Sequence, residues 1–315
     1  MGAFLDPKND FAFKRLFGVE KNKNILIKFL NDVFAGVHPH IEDVEFLKTS
    51  QDPEIAAMRQ SIVDVICKDS EGHQFIIEMQ CASDTHFLNR AKAYACRAYL
   101  NQRKKNEKPK SKSQKSDGYD YADMKHVIFL AILNKTLFPN KERYLSHHKH
   151  LDIETFENDV EGLSFSFLEL EKMQKTEIHE LSNDIERWMH FFKYAPSTEL
   201  SELKEIGDES PAILDAYKAL AEYAFSHEEL LEYERYGMKQ DEIETSISDA
   251  RAEGLAEGLA EGKAEGLAEG ELKKARETAI KMLENELPLD LISKCTGLSA
   301  TEIKKLNLER LNLEK

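Results

Sequence analysis

The chain has 315 residues, 43 Lys+Arg against 58 Asp+Glu, and a net charge of −15; 41% of it is hydrophobic and 32% charged. No apolar run reaches the roughly eighteen residues of a membrane span, and the N-terminal MGAFLDPKND lacks the basic and apolar regions of a secretory signal. A cytoplasmic protein with no membrane partner is expected.

The four cysteines, Cys67, Cys81, Cys96 and Cys295, show no paired spacing. They read as reduced packing residues, with no zinc motif among them. The net charge hides an asymmetry. Residues 1–150 hold 24 Lys+Arg and 19 Asp+Glu, a net of +5; the remainder holds 19 and 39, a net of −20. The first part can meet a polyanion and the second cannot.

In chain order, 8–17 and 22–34 carry apolar residues at helical spacing, punctuated by Gly18 and Gly36. Residues 42–50 alternate weakly and predict a first strand. Residues 61–67 and 74–80 predict two more, joined by the turn-forming KDSEGH. An Ala-rich amphipathic helix follows at 86–103, then the basic loop 103–118 with seven Lys or Arg. That loop has no apolar anchor: it contacts phosphate or is a solubilising insert. The apolar run 125–134 suits a strand buried on both faces. The order helix, three strands, helix, strand predicts a mixed α/β sheet.

From 151 the pattern turns acidic and helical, with Ile185, Trp188, Met189 and Phe192 on one face of 181–195, and further helices at about 211–224 and 227–236. A four-residue repeat, AEGL and its variants, fills 252–271. Its glycine row advances about 40° per repeat around a helix. This segment either self-associates as a homo-oligomer contact or is a solvated connector. Residues 275–308 resemble a helix-turn-helix, which reads DNA or forms a small cap. The expected domains are a core at 1–150, an acidic helical extension at 151–250, a helical linker at 251–274 and a tail at 275–315. His147, His148 and His150 cluster in sequence, but the absence of an acidic partner argues against a metal there.

The chemistry concentrates on two strands. Asp64 interrupts Ile62-Val63-Val65-Ile66, and Glu78 interrupts Phe75-Ile76-Ile77-Met79. If the hairpin turns about Glu71, Asp64 lies opposite Glu78 with Cβ atoms about 4.5–5.5 Å apart, and Gln80 points the same way. Like charges so placed oppose one another unless the face is solvated or a divalent cation joins them. Two carboxylates suit Mg²⁺, which prefers few protein ligands. Gln80 can donate a hydrogen bond but cannot serve as a base.

The segments PKNDFAFKRLFG, SIVDVICKD, IIEMQ, NRAKAYACRAYLNQ and VIFLAILN together resemble the Rpn family of recombination-promoting nucleases, also described as transposases, within the PD-(D/E)XK nuclease superfamily. The resemblance covers residues 4–195 and continues in outline to 236. It implies a restriction-endonuclease-like core (αβββαβ) followed by an α-helical C-terminal region. It also implies Mg²⁺-dependent cleavage of DNA, with Mn²⁺ as the alternative ion. Asp64 and Glu78 match the acidic motif positions that hold the metal, and Gln80 stands where many superfamily members keep Lys. Asp10 matches a further acidic position of the catalytic set, or else caps its helix with Asn9. Lys14 faces phosphate or solvent. Arg90 and Tyr94, four residues apart, match a family pattern that positions DNA or supports the site, or else their aliphatic stem and ring pack into the core. Lys104, Lys105 and Lys108 of the basic loop would add DNA contacts. The rival to an endonuclease is a non-catalytic DNA-binding or helical assembly protein on the same fold.

Overall fold

The computed structural model describes residues 3–51, 61–81, 86–105, 119–120 and 122–313. Two helices open the chain. α1 (Asp10–Phe17) starts at Asn9, whose side chain accepts from the amides of Phe11 and Ala12, and α2 (Lys23–Val33) follows. Strand β1 (Val44–Phe46) comes next, and β2 (Ser50–Gln51) pairs with β3 (Ser61–Ile62). Then come β4 (Val65–Asp69), β5 (Gln74–Gln80) and the helix α3 (Phe87–Asn101). The short β6 (Lys104–Lys105) pairs with β7 (Tyr119–Asp120). Three longer strands complete the series: β8 (Val127–Leu133), β9 (Leu145–Lys149) and β10 (Leu163–Glu169).

Six strands form one mixed sheet in the order β1-β4-β5-β8-β10-β9. β5 and β10 flank β8 in parallel, and the remaining pairs are antiparallel. The parallel pairing of β5 and β8 requires a crossover, which α3 supplies. β8 is buried at all seven positions, as expected of a strand covered on both faces. The alternation within its neighbours sorts the core. Val65, Cys67, Phe75 and Ile77 pack with α1, α2 and the helix α4 (Asp184–Tyr194). Ile66 and Ile76 pack with Ala91, Ala95 and Ala98 of α3. The small side chains of α3 let it lie close on the sheet. On the other face Phe17, Phe29, Trp188 and Phe192 form an aromatic nucleus with ring centroids 5.1–6.3 Å apart.

The structure departs from the sequence expectations in four places. The strand expected over 61–67 is broken at Val63–Asp64, and the one expected over 42–50 shortens to three residues. The sheet does not end before 150: β10 is one of its inner strands, and its alternation of Ser and Phe lies among acidic neighbours that mask it in the sequence. Cys96 and Cys295 are exposed, so only Cys67 is a fully buried packing cysteine. Finally, α5 (Leu203–Glu209) and α6 (Pro211–Ala219) precede one continuous helix, α7 (His227–Glu284), with no break between 236 and the repeat. No proline interrupts it.

The chain divides into two compact units, Met1–Ile243 and Glu244–Lys315. The second holds a small core of Ala279, Leu283, Ile292, Leu298 and Ile303. There α8 (Leu289–Thr296) ends at Gly297 with φ +72°, and α9 (Ala300–Leu313) begins behind Ser299. Ser299 and Glu302 cap that start reciprocally. Among the described residues, no helix is long and apolar enough to cross a membrane.

Candidate active site

The β4–β5 ladder pairs Val65 with Ile77 and Ile66 with Ile76, which continues to Asp64 opposite Glu78. At that position side chains replace the ladder. The Asp64 amide donates to Glu78 Oε1 at 3.3 Å, and the Met79 amide donates to Asp64 Oδ2 at 3.0 Å. Each carboxylate thus accepts from the other strand, which explains the bend at Asp64. Glu78 is 9% exposed, although its strand neighbours are apolar.

α1 brings its own groups to this point. Because Asn9 takes the cap, Asp10 is not needed there, and its carboxylate pairs with Lys14 one turn on at 2.7 Å. The same ammonium lies 3.3 Å from Asp64 Oδ1. Asp10 and Asp64 are also close enough to share a hydrogen bond. Lys14 therefore turns into the acidic cluster and not out to solvent. From the other face, Arg90 of α3 donates to Gln80 Oε1 at 2.6 Å. Tyr94, one turn further, lies within electrostatic reach of Glu78.

The electrostatics follow from crowding. Burial, then the adjacent Asp10, pushes Asp64 up to about 6, against the opposing pull of Lys14 and the Met79 amide. Burial and the charge of Asp64 raise Glu78 well above the usual carboxylate range. Burial works against the charge of Lys14, but its bonds to Asp10 and Asp64 outweigh that and hold its pKa above the ordinary value. Burial also raises Tyr94. An open cleft of about 360 Å³ adjoins the cluster, lined in part by Phe11, Lys14, Thr49 and Asp64.

The donor set fits a hard divalent cation. The oxygen donors of Asp64 and Glu78, set across the hairpin, are of the hard kind that divalent cations prefer, although Asp10, Asp64 and Glu78 do not bring three donor atoms within 4.8 Å of one another.

The structure therefore brings together Asp10, Lys14, Asp64, Glu78, Gln80 and Arg90. Lys104 and Lys105 lie in β6, with only their backbone described, and Lys108 lies outside the described residues. His147 and His148 are engaged by Ser166 and Ser146. The spacing of four in the sequence signals the Asp10–Lys14 pair, while the contact of Lys14 with Asp64 arises only from the packing of α1 against the hairpin.

A family model described as PD-(D/E)XK nuclease family transposase matches residues 7–249, and the chain belongs to this family. No curated protein and no solved structure matches. Membership implies a nucleic acid substrate, and nucleases of this family typically use divalent metals.

Proposed function

We propose, with that membership as premise, that the chain is a Mg²⁺-dependent DNA endonuclease that promotes recombination by breaking strands. Mn²⁺ would serve as the alternative ion. The observation that carries the reading is the pairing of buried Asp64 and Glu78 across the hairpin with Asp10 and Lys14 against them. Asp64 and Glu78 would hold the cation, with Asp10 beside them. When bound, such a cation supplies Lewis-acid stabilisation of charge developing on a phosphoryl oxygen.

The chain's own groups do the rest. In hydrolysis water adds to phosphorus, one ester P–O bond breaks, and the departing oxygen takes up a proton. Lys14 provides the positive charge that Gln80 does not, aimed at the same carboxylate from a different element. Arg90 holds the Gln80 carbonyl, which makes the NH₂ end of that amide the donor side. Arg90 lies within electrostatic reach of Glu78 and lowers its proton affinity, and Tyr94 stands one turn further along α3. DNA would lie over the cleft beside Lys14, with Lys104, Lys105 and Lys108 adding sequence-independent phosphate contacts. A second copy is the proposed partner of the 251–274 helix, on the strength of its glycine row alone.

The test is a supercoiled-plasmid nicking assay with wild type and Asp64→Ala. Mg²⁺-dependent nicking by wild type alone supports the enzyme. Intact plasmid from both proteins in Mg²⁺ and in Mn²⁺ would favour a non-catalytic DNA-binding protein instead.

A further inference from the structure

A second cluster lies at the other end of the same hairpin, five residues along β5 from Glu78, or roughly 17 Å at strand rise. His38 follows α2, Asp69 ends β4 and His73 sits in the turn, with ligand atoms all within 4.8 Å of one another. The rings of His38 and His73 meet edge-on with centroids 5.2 Å apart.

The hydrogen bonds of the two imidazoles set their tautomers. His38 Nδ1 lies 2.8 Å from the Pro39 carbonyl, which can only accept, so this nitrogen carries the proton. Its Nε2 is left as a lone pair that is buried without a hydrogen-bond partner and lies 3.9 Å from Asp69 Oδ2. His73 Nδ1 is 2.9 Å from the same carboxylate oxygen, while the other Asp69 oxygen accepts the amides of Glu71 and His73. Asp69 is thereby fixed and in turn orients His73. His126, just before β8, lines the same cavity of about 190 Å³ as His38 and His73, and its Nε2 is likewise buried without a partner.

Two buried imidazole nitrogens without partners, on residues lining one small cavity, are costly unless something binds them. We propose that His38, Asp69 and His73, with His126 beside them, form a binding site for a divalent transition metal, with zinc as the best fit. Imidazole nitrogens with one carboxylate suit zinc, whereas the all-oxygen cluster at Asp64 suits magnesium. Tetrahedral zinc with bonds of about 2.0–2.1 Å sets its donors about 3.3 Å apart. The 3.9 Å between His38 Nε2 and Asp69 Oδ2 lies near that value, and metal binding would displace the Nδ1 proton of His73, which now lies 2.9 Å from the same oxygen. A metal here would tie the segment after α2 to the hairpin turn and brace β4 and β5 from the end opposite the acidic cluster.

The experiment uses untagged full-length protein, one equivalent of Zn²⁺, and excess Mg²⁺ to occupy the acidic site. After desalting, wild type and Glu78→Gln should each retain one zinc per chain, and His38→Ala/His73→Ala should retain none. Retention by the double variant, or none by wild type, overturns the proposal. If circular dichroism shows the double variant unfolded, imidazole NMR of wild type decides. Zinc-induced shifts at His38, His73 and His126 support the site; shifts confined to His147 and His148, or no shifts, refute it.

Discussion

Asp64 and Glu78 carry the tension of the site. The folded state raises Asp64 to about 6 from 3.8, so between those values it holds a proton the unfolded chain has released. Stability of the metal-free protein therefore falls as pH rises through that window and stays lower above it, by roughly 2–3 kcal/mol. Divalent cation should restore stability above pH 6 and do little near pH 4, which urea denaturation at both pH values will check. Glu78→Gln keeps the oxygen that accepts from the Asp64 amide but removes a charge, so it should stabilise the metal-free protein at pH 8 by about 1 kcal/mol. The same change should abolish nicking. Lys14→Met is expected to lower the nicking rate by about 10²-fold, the usual worth of one positioned charge. Adding Gln80→Lys in that background should recover part of the loss; no recovery would separate Lys14 from the role that Lys plays elsewhere in the superfamily.

At the scale of elements, much was legible and the failures have physical causes. The hairpin register followed from turn chemistry centred on Glu71, and Val65 pairs with Ile77 as that register requires. The double burial of β8 followed from its apolar run. The bend at Val63–Asp64 was not legible, because it depends on side-chain carboxylates taking over ladder bonds. β10 is hidden in the sequence because SFSF sits in an acidic stretch, and burial against β8 overrides that composition. The His38–Asp69–His73 cluster does not show in the sequence because its members are 31 and 4 residues apart and meet only once α2 packs beside the hairpin. In α7 no neighbouring atom lies within 4 Å of a Cβ built at Gly254, Gly258, Gly262, Gly266 or Gly270. Replacing all five by Ala should raise helix content and stabilise the helix by about 1 kcal/mol per site. If a second chain packs on that row, the same substitution will lower the mass seen by light scattering; unchanged mass would leave the segment a connector.

For the whole molecule, charge must act locally. A net of −15 repels DNA overall, and the acidic residues past 150 belong partly to the same compact unit as the basic ones. Affinity should thus rest on a limited basic surface and fall linearly in log salt, with a slope of about −0.9 per phosphate neutralised. Reversing Lys104, Lys105 and Lys108 to Glu should weaken binding to all sequences alike and flatten that slope, as measured by fluorescence anisotropy. The central claim is that the two hairpin carboxylates share one cation. Anomalous diffraction from a crystal soaked in Mn²⁺ tests it most directly: a peak within bonding distance of both Asp64 and Glu78 is predicted, and full occupancy elsewhere with nothing between those side chains would contradict it.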